Sequence, residues 1–173
     1  HLGAASASSF LLNMNDLFED WVTRRLRAAL RNRLVVIGQS QLKLDVGGKV
    51  SIAPDLEFRD RDQAVYVGDV KYKLTGSGLA RSSDYYQLLA YCTTLGLPEG
   101  VLIYAQTDGA APEREIVVRN AHTRLWTYRL DLAGSAEDLH RSMVGLAAWI
   151  GQRRRGPSLV AASSTNRGEL PQS

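Results

Sequence analysis

The stretch Ala64-Val65-Tyr66-Val67-Gly68-Asp69-Val70-Lys71-Tyr72-Lys73 reads as a β-strand, rich in β-branched and aromatic residues. Period two puts Asp69, Lys71 and Lys73 on one face of it. A carboxylate beside an ammonium in the middle of an apolar strand needs a reason. Pro54-Asp55, on the preceding strand of the expected hairpin, brings a second carboxylate to the same end of the sheet. Two carboxylates with a strand carbonyl form an all-oxygen set suited to Mg²⁺ or Mn²⁺. Such an ion lowers the pKa of its water and stabilises charge on a phosphoryl oxygen. Lys71 would orient that water or meet the transition-state charge. Only 4 of the 21 basic residues are lysine, so a lysine here points to a compact ammonium rather than a guanidinium fork. A structural Asp69–Lys71 ion pair, with Asp55 as a turn residue, accounts for these three residues equally well.

Outward from this strand, Met14, Leu17, Phe18, Trp21, Val22, Leu26, Ala29 and Leu30 recur at helical spacing and predict a long amphipathic helix from Phe10 to about Arg33. Strands are expected at Leu34–Ile37 or Gln41–Val46, at Val50–Phe58 and at Ala64–Lys73, as an antiparallel meander. Ser82 to Leu95 returns to helical period and is closed by Gly96 and Pro98. Val101–Tyr104 is a short apolar run, read as a buried strand. Strands at Glu115–Arg119 and Arg124–Leu132 precede a last helix that starts near Ser135 with Ser-x-x-Asp138 and ends in Arg153-Arg154-Arg155. The order is α-β-β-β-α-β, then an extra hairpin and helix, which is an α/β fold. Residues 1–9 and 156–173, poor in large apolar groups, are expected to be mobile tails around one domain at 10–155.

Composition narrows the function. A chain of 173 residues with 45% hydrophobic and 23% charged side chains can bury a core, and a net charge of +3 means that any anionic partner must be met by clustered cations. The single cysteine, Cys92, excludes an internal disulfide, and no Cys/His spacing of the zinc type exists. No apolar run reaches the roughly 18 residues of a spanning helix, so no membrane partner and a cytoplasmic location are expected. The chain opens on His1 rather than Met, which leads us to expect an upstream portion. Gly47-Gly48-Lys49 is followed by Val50 where a phosphate loop needs Ser or Thr, so no nucleotide is expected on this chain. Nor is there a Gly-x-Ser-x-Gly elbow.

Further residues border the candidate site. Glu19 lies beside the apolar face of the first helix and could supply a third carboxylate; a solvated helix acid next to Asp16 and Asp20 is the competing explanation. Gln87 and Tyr91 share a helical face that could meet a DNA backbone. Alternatively, Asp84 and Gln87 stand in the order of a helix cap, with Tyr91 in the core. Arg24, Arg25, Arg27, Arg31 and Arg33 form the densest basic cluster and would neutralise phosphates without sequence preference, as would a plain solvated face.

Read together, Asn15-Asp16-Leu17-Phe18-Glu19, Pro54-Asp55, Asp69-Val70-Lys71-Tyr72-Lys73 and Ser83-Asp84-Tyr85-Tyr86-Gln87-Leu88-Leu89-Ala90-Tyr91 resemble the nuclease portion of the McrC family. That family supplies the DNA-cutting subunit of the McrBC modification-dependent (5-methylcytosine) restriction system, within the PD-(D/E)xK nuclease superfamily. The resemblance spans roughly residues 10–106. It implies a restriction-endonuclease-like core in which Asp55, Asp69 and Glu19 bind Mg²⁺ (or Mn²⁺) and Lys71 is catalytic. Gln87 and Tyr91 look like the Gln-x-x-x-Tyr element that some of these nucleases place near DNA, where Lys73, Arg24 and Arg27 would join them. It also implies a partner, an McrB-like GTP-dependent AAA+ motor that recognises methylated DNA. Family members usually carry an N-terminal region that engages the ring, whereas this chain starts at the nuclease. A Cas4- or RecB-like nuclease is the alternative among enzymes, although the four cysteines of an iron–sulfur centre are missing. A nuclease-dead DNA-binding module is the alternative outside them.

Overall fold

In the computed structural model, residues 2–72, 81–106 and 113–153 are described. The elements run α1 (Leu2–Leu30), β1 (Val35–Gly38), β2 (Leu42–Lys43), β3 (Ser51–Ile52), β4 (Leu56–Asp60), β5 (Gln63–Lys71), α2 (Ser82–Leu95), β6 (Glu99–Gln106), β7 (Glu113–Val117), β8 (Arg124–Asp131) and α3 (Ala136–Arg153). Six strands form one mixed sheet in the order β1-β4-β5-β6-β8-β7. The β1-β4-β5 portion is antiparallel, β5-β6-β8 is parallel, and β7 returns antiparallel to β8.

Alternation along the strands sorts the core into two layers. Val101, Ile103 and Ala105 face α1 and α3, joined by Leu56, Phe58, Tyr66, Val70 and Leu130. Leu102 and Tyr104 face α2 with Val67 and Leu125. Helix α1 enters the first layer through Phe18, Val22, Leu26 and Leu30, one residue per turn, all buried. Leu17, expected in that stripe, is 58% exposed.

Three expectations are corrected. The strand predicted over Val50–Phe58 is two strands in two sheets: β3 pairs with β2 as a separate hairpin, and β4 begins only at Leu56. Pro54 has no N–H to offer a ladder, so pairing stops there and the chain changes sheet. The two alternatives for the first strand, 34–37 and 41–46, are both occupied, by β1 and by the short β2. Helix α1 begins at Leu2, so the tail expected over 1–9 is helical from that residue on. The tail expected at 156–173 lies outside the described residues.

Other signals hold. Gly96 takes φ 65° and closes α2 with its N–H on carbonyls of the last turn. Ser135 and Asp138 exchange hydrogen bonds at the start of α3, Oγ to carboxylate at 2.7 Å and backbone N–H to Oγ at 3.3 Å.

Helix α2 packs closely on the sheet at Gly100. A Cβ there would stand 2.8 Å from Cys92 Sγ, 2.9 Å from Leu88 Cδ1 and 3.1 Å from Val67 Cγ1. Gly100→Ala should therefore push α2 outward and cost about 1–3 kcal/mol, measured by urea denaturation. A variant as stable as the unaltered chain would show that α2 is not seated this tightly.

Candidate active site

The site lies at the end of the sheet where β4 begins and β5 ends. Leu56 pairs with Gly68, so Asp55 and Asp69 stand one residue beyond that pair on neighbouring strands. Both are buried, at 8% and 0% exposure. Their carboxylates repel. Burial first, and the Asp55 charge second, push the Asp69 carboxyl up to about 7, and Lys71 only partly offsets them.

Backbone and side-chain donors share out these oxygens. Asp55 Oδ2 accepts the Val70 N–H at 2.8 Å, and Asp55 Oδ1 accepts Gln39 Nε2 at 2.8 Å. Lys71 Nζ lies 2.7 Å from Asp69 Oδ2 as an ion pair. Apart from this ion pair, both Asp69 oxygens are buried without a hydrogen-bond partner among the described residues. Burial disfavours the Lys71 charge, but Asp69, Asp55 and Asp84 outweigh it and raise its pKa. Lys71 is thus held as an ammonium.

Glu19 arrives from α1, two turns before Leu26. Its Oε1 accepts the same Gln39 Nε2, at 2.6 Å. Burial raises the Glu19 pKa, the Gln39 bond lowers it, and Asp55, Asp16 and Asp20 raise it further. The three carboxylates expected to converge therefore do not close into one group, and no group of three candidate metal ligands occurs among the described residues. One amide stands between Glu19 and Asp55, because two carboxylates share a donor at less cost than they face each other.

The surrounding elements hold this end in place. Asn15 Oδ1 accepts the Tyr72 N–H at 2.8 Å, pinning α1 to the end of β5. Tyr104 donates to Asp84 Oδ2 at 2.5 Å, keeping that carboxylate near Lys71. Glu57, fully buried two residues after Asp55, is paired with Arg59 at 2.5 Å. Gln39, Asn15, Asp84, Tyr104 and Glu57 were not singled out for these roles by the sequence. Their partners are far away in the chain or depend on which strand face is buried; only Glu57, in step with Asp55 at period two, had a local signal.

The expected DNA contacts divide. Gln87 is exposed on α2 and donates to Tyr91 Oη at 2.6 Å. Tyr91 is buried and donates to the Ala53 carbonyl at 3.0 Å, so it positions the Pro54-Asp55 corner rather than a ligand. Its phenol is pushed up to about 12 by burial and by Asp69. No side chain caps the N-terminus of α2, so the Asp84–Gln87 cap does not form. Arg24 is exposed and pairs with Asp20 at 3.1 Å, four residues back. Arg27 donates Nε to the Val36 carbonyl at 3.0 Å, tying α1 to β1. Lys73 lies outside the described residues.

Fold and site together define a mixed α/β domain with a buried aspartate pair and a charged lysine at one end of its central sheet. The chain belongs to the McrBC family, the 5-methylcytosine restriction system components, whose family model matches residues 2–105. Among solved structures it is similar to a chain of the refined half-complex from the tetradecameric assembly of Thermococcus gammatolerans McrB AAA+ hexamers with bound McrC. That likeness has a TM-score of 0.59 at 20% identity and covers 77% of this chain and 33% of that one, so this chain spans about a third of its length. No curated protein matches the sequence significantly.

The raised Asp69 value has a testable sign. Folding favours protonated Asp69, so its contribution is fully present below about pH 4 and is lost as pH rises through about 7. Asp69→Asn removes that loss. In metal-free buffer its Tm should climb relative to the unaltered chain by about 3 °C or more between pH 5 and pH 8. A Tm deficit in Asp69→Asn that is the same at every pH would mark a purely structural Asp69–Lys71 pair.

Proposed function

We propose that this chain carries the DNA-cleaving centre of an McrC-type subunit, a Mg²⁺- or Mn²⁺-dependent endonuclease on a PD-(D/E)xK core. The observation that carries this reading is the buried Asp55–Asp69 pair, with the Lys71 ammonium 2.7 Å from Asp69 Oδ2. Buried carboxylate oxygens without hydrogen-bond partners are costly, and oxygen-only donors suit a hard cation. Asp55 and Asp69 would hold the ion, and Glu19 would add its charge through Gln39. A divalent cation so held supplies an acidified water and screens the charge of a phosphodiester.

The chain's own residues do the remaining work. The Val70 N–H fixes the Asp55 carboxylate and Lys71 fixes Asp69. Because Lys71 is kept charged, it acts as a cation toward the scissile phosphate rather than as a base. The exposed Gln87 and Arg24, with Lys73, would follow the DNA backbone. Tyr91 serves the framework, and Arg27 is tied to β1 through its Nε while its side chain stays exposed.

Double-stranded DNA is the substrate in this reading, and an McrB-like GTP-dependent AAA+ motor is the partner. The similar solved assembly, of McrB AAA+ hexamers with bound McrC, supports that pairing. Gly47 to Lys49 fall between β2 and β3, not between a strand and a helix as in a phosphate loop. No described helix is long and apolar enough to cross a membrane.

Cleavage of methylated plasmid should require Mg²⁺ or Mn²⁺ and stop in EDTA, and methyl selectivity should appear only with the motor partner and GTP. Robust methyl-selective cutting by this chain alone would count against the assignment. Cation binding without cleavage under any of these conditions would favour a nuclease-dead DNA-binding module.

Lys71→Arg separates catalysis from structure. An arginine keeps the charge but sets a planar fork where a compact ammonium stood. Misplacing a catalytic group by about 1 Å costs on the order of 10²-fold, so the variant should fold and cleave at least about a hundredfold more slowly in single-turnover assays. Equal rates would remove Lys71 from the chemistry.

A further inference from the structure

We propose that Gln39 is a positioning residue of this site: its side-chain amide links Glu19 to Asp55 and sets where the first-helix carboxylate stands when a divalent cation binds. The inference rests on the cation-site reading above and deepens it. Gln39 follows the last residue of β1 and is held at φ 52°, a left-handed conformation that is uncommon for a residue with a Cβ. Such backbone outliers gather where the surroundings over-determine the geometry. Here the surroundings are visible. The preceding Gly38 is packed so closely that a Cβ would meet Arg27 Nη2 at 3.3 Å and Thr23 Cγ2 at 3.4 Å. The Gln39 N–H lies 3.4 Å from the Asp55 carbonyl.

The consequence of the turn is chemical. Gln39 Nε2 donates to Glu19 at 2.6 Å and to Asp55 at 2.8 Å, so a single nitrogen joins residues 36 positions apart. Only the nitrogen end of the amide can face two carboxylates, which fixes its orientation. A cleft of about 470 Å³ lined by Asp16, Leu17, Glu19, Asp20 and Gln39 opens beside it. Among the described residues no other group donates a hydrogen bond to Glu19, so its place near Asp55 depends on this amide. Asparagine at position 39 suits the left-handed backbone but is one methylene too short to span both acids, and glycine relaxes the backbone while removing the bridge.

The test measures Mn²⁺ affinity by isothermal titration calorimetry and metal-free Tm for the unaltered chain, Gln39→Asn, Gln39→Gly, Glu19→Gln and Asp69→Asn. Both Gln39 variants should stay folded, with the metal-free Tm lowered by the lost bridge, and bind Mn²⁺ about tenfold more weakly, in the range seen when groups supporting a ligand are removed. Adding Glu19→Gln to Gln39→Gly should cost nothing further, because the two act as one unit. If Asp69→Asn loses Mn²⁺ while both Gln39 variants keep affinity within twofold, the role of Gln39 is overturned and the cation site stands. If the unaltered chain does not bind Mn²⁺, or Asp69→Asn binds as well as it does, the cation-site reading fails and this inference falls with it.

Discussion

Two aspartates on neighbouring strands, both buried, constrain the rest of this molecule. Asp55 and Asp69 would drive each other apart if left alone in a low-dielectric interior. The structure answers with donors from four directions: the Val70 N–H from within β5, the Lys71 ammonium, the Gln39 amide from the end of β1, and, behind Asp55, the Tyr91 hydroxyl on the Ala53 carbonyl. Each donor belongs to a different reason for the fold to be as it is. Helix α2 must sit close enough for Tyr91 to reach Ala53, and Gly100, where a Cβ would meet Cys92 and Leu88 of that helix, permits a close approach. Helix α1 must lie against β1 and the end of β5, where Arg27 and Asn15 fasten it.

The order of the sheet follows from the same point. Asp55 can face Asp69 only if β4 pairs with β5 in the register that puts Leu56 opposite Gly68. A slip of one residue would turn one aspartate into the apolar layer beneath α1 and α3. Leu56, Phe58, Tyr66 and Val70 in that layer resist the slip, since each would have to exchange its buried face for the other. The hydrophobic pattern therefore fixes the register, and the register places the acids.

Much of this was legible in the chain. The helix at 82–95 and its Gly96 stop follow from local chemistry, as does the start of α3 at the Ser135–Asp138 pair. The pairing of Asp55 with Asp69 was readable because a hairpin brings them together with few residues between. What could not be read was anything decided by distant neighbours. Gln39 and Glu19 are 20 positions apart, and nothing near either one signals their contact. Tyr91 carries the residue type of a DNA surface but is buried, and Arg27, though exposed, spends its Nε on the Val36 carbonyl. Pro54 was visible as a residue and underused as a signal: its missing N–H ends one small sheet and delivers Asp55 to another.

The electrostatics around Lys71 favour its charged form. Three carboxylates, from Asp69, Asp55 and Asp84, face one ammonium, and together they overcome the burial that would favour its neutral form. A lysine meant to abstract a proton is tuned the opposite way, toward a lower pKa, by apolar walls or neighbouring cations. Tyr104 strengthens the contrast, since it holds Asp84 in place with its own hydroxyl proton rather than leaving it to water. The arrangement therefore invests in permanence of charge. If the substrate is the phosphodiester proposed above, a fixed positive charge that needs no reorganisation at the moment of reaction is the form in which such a group contributes most.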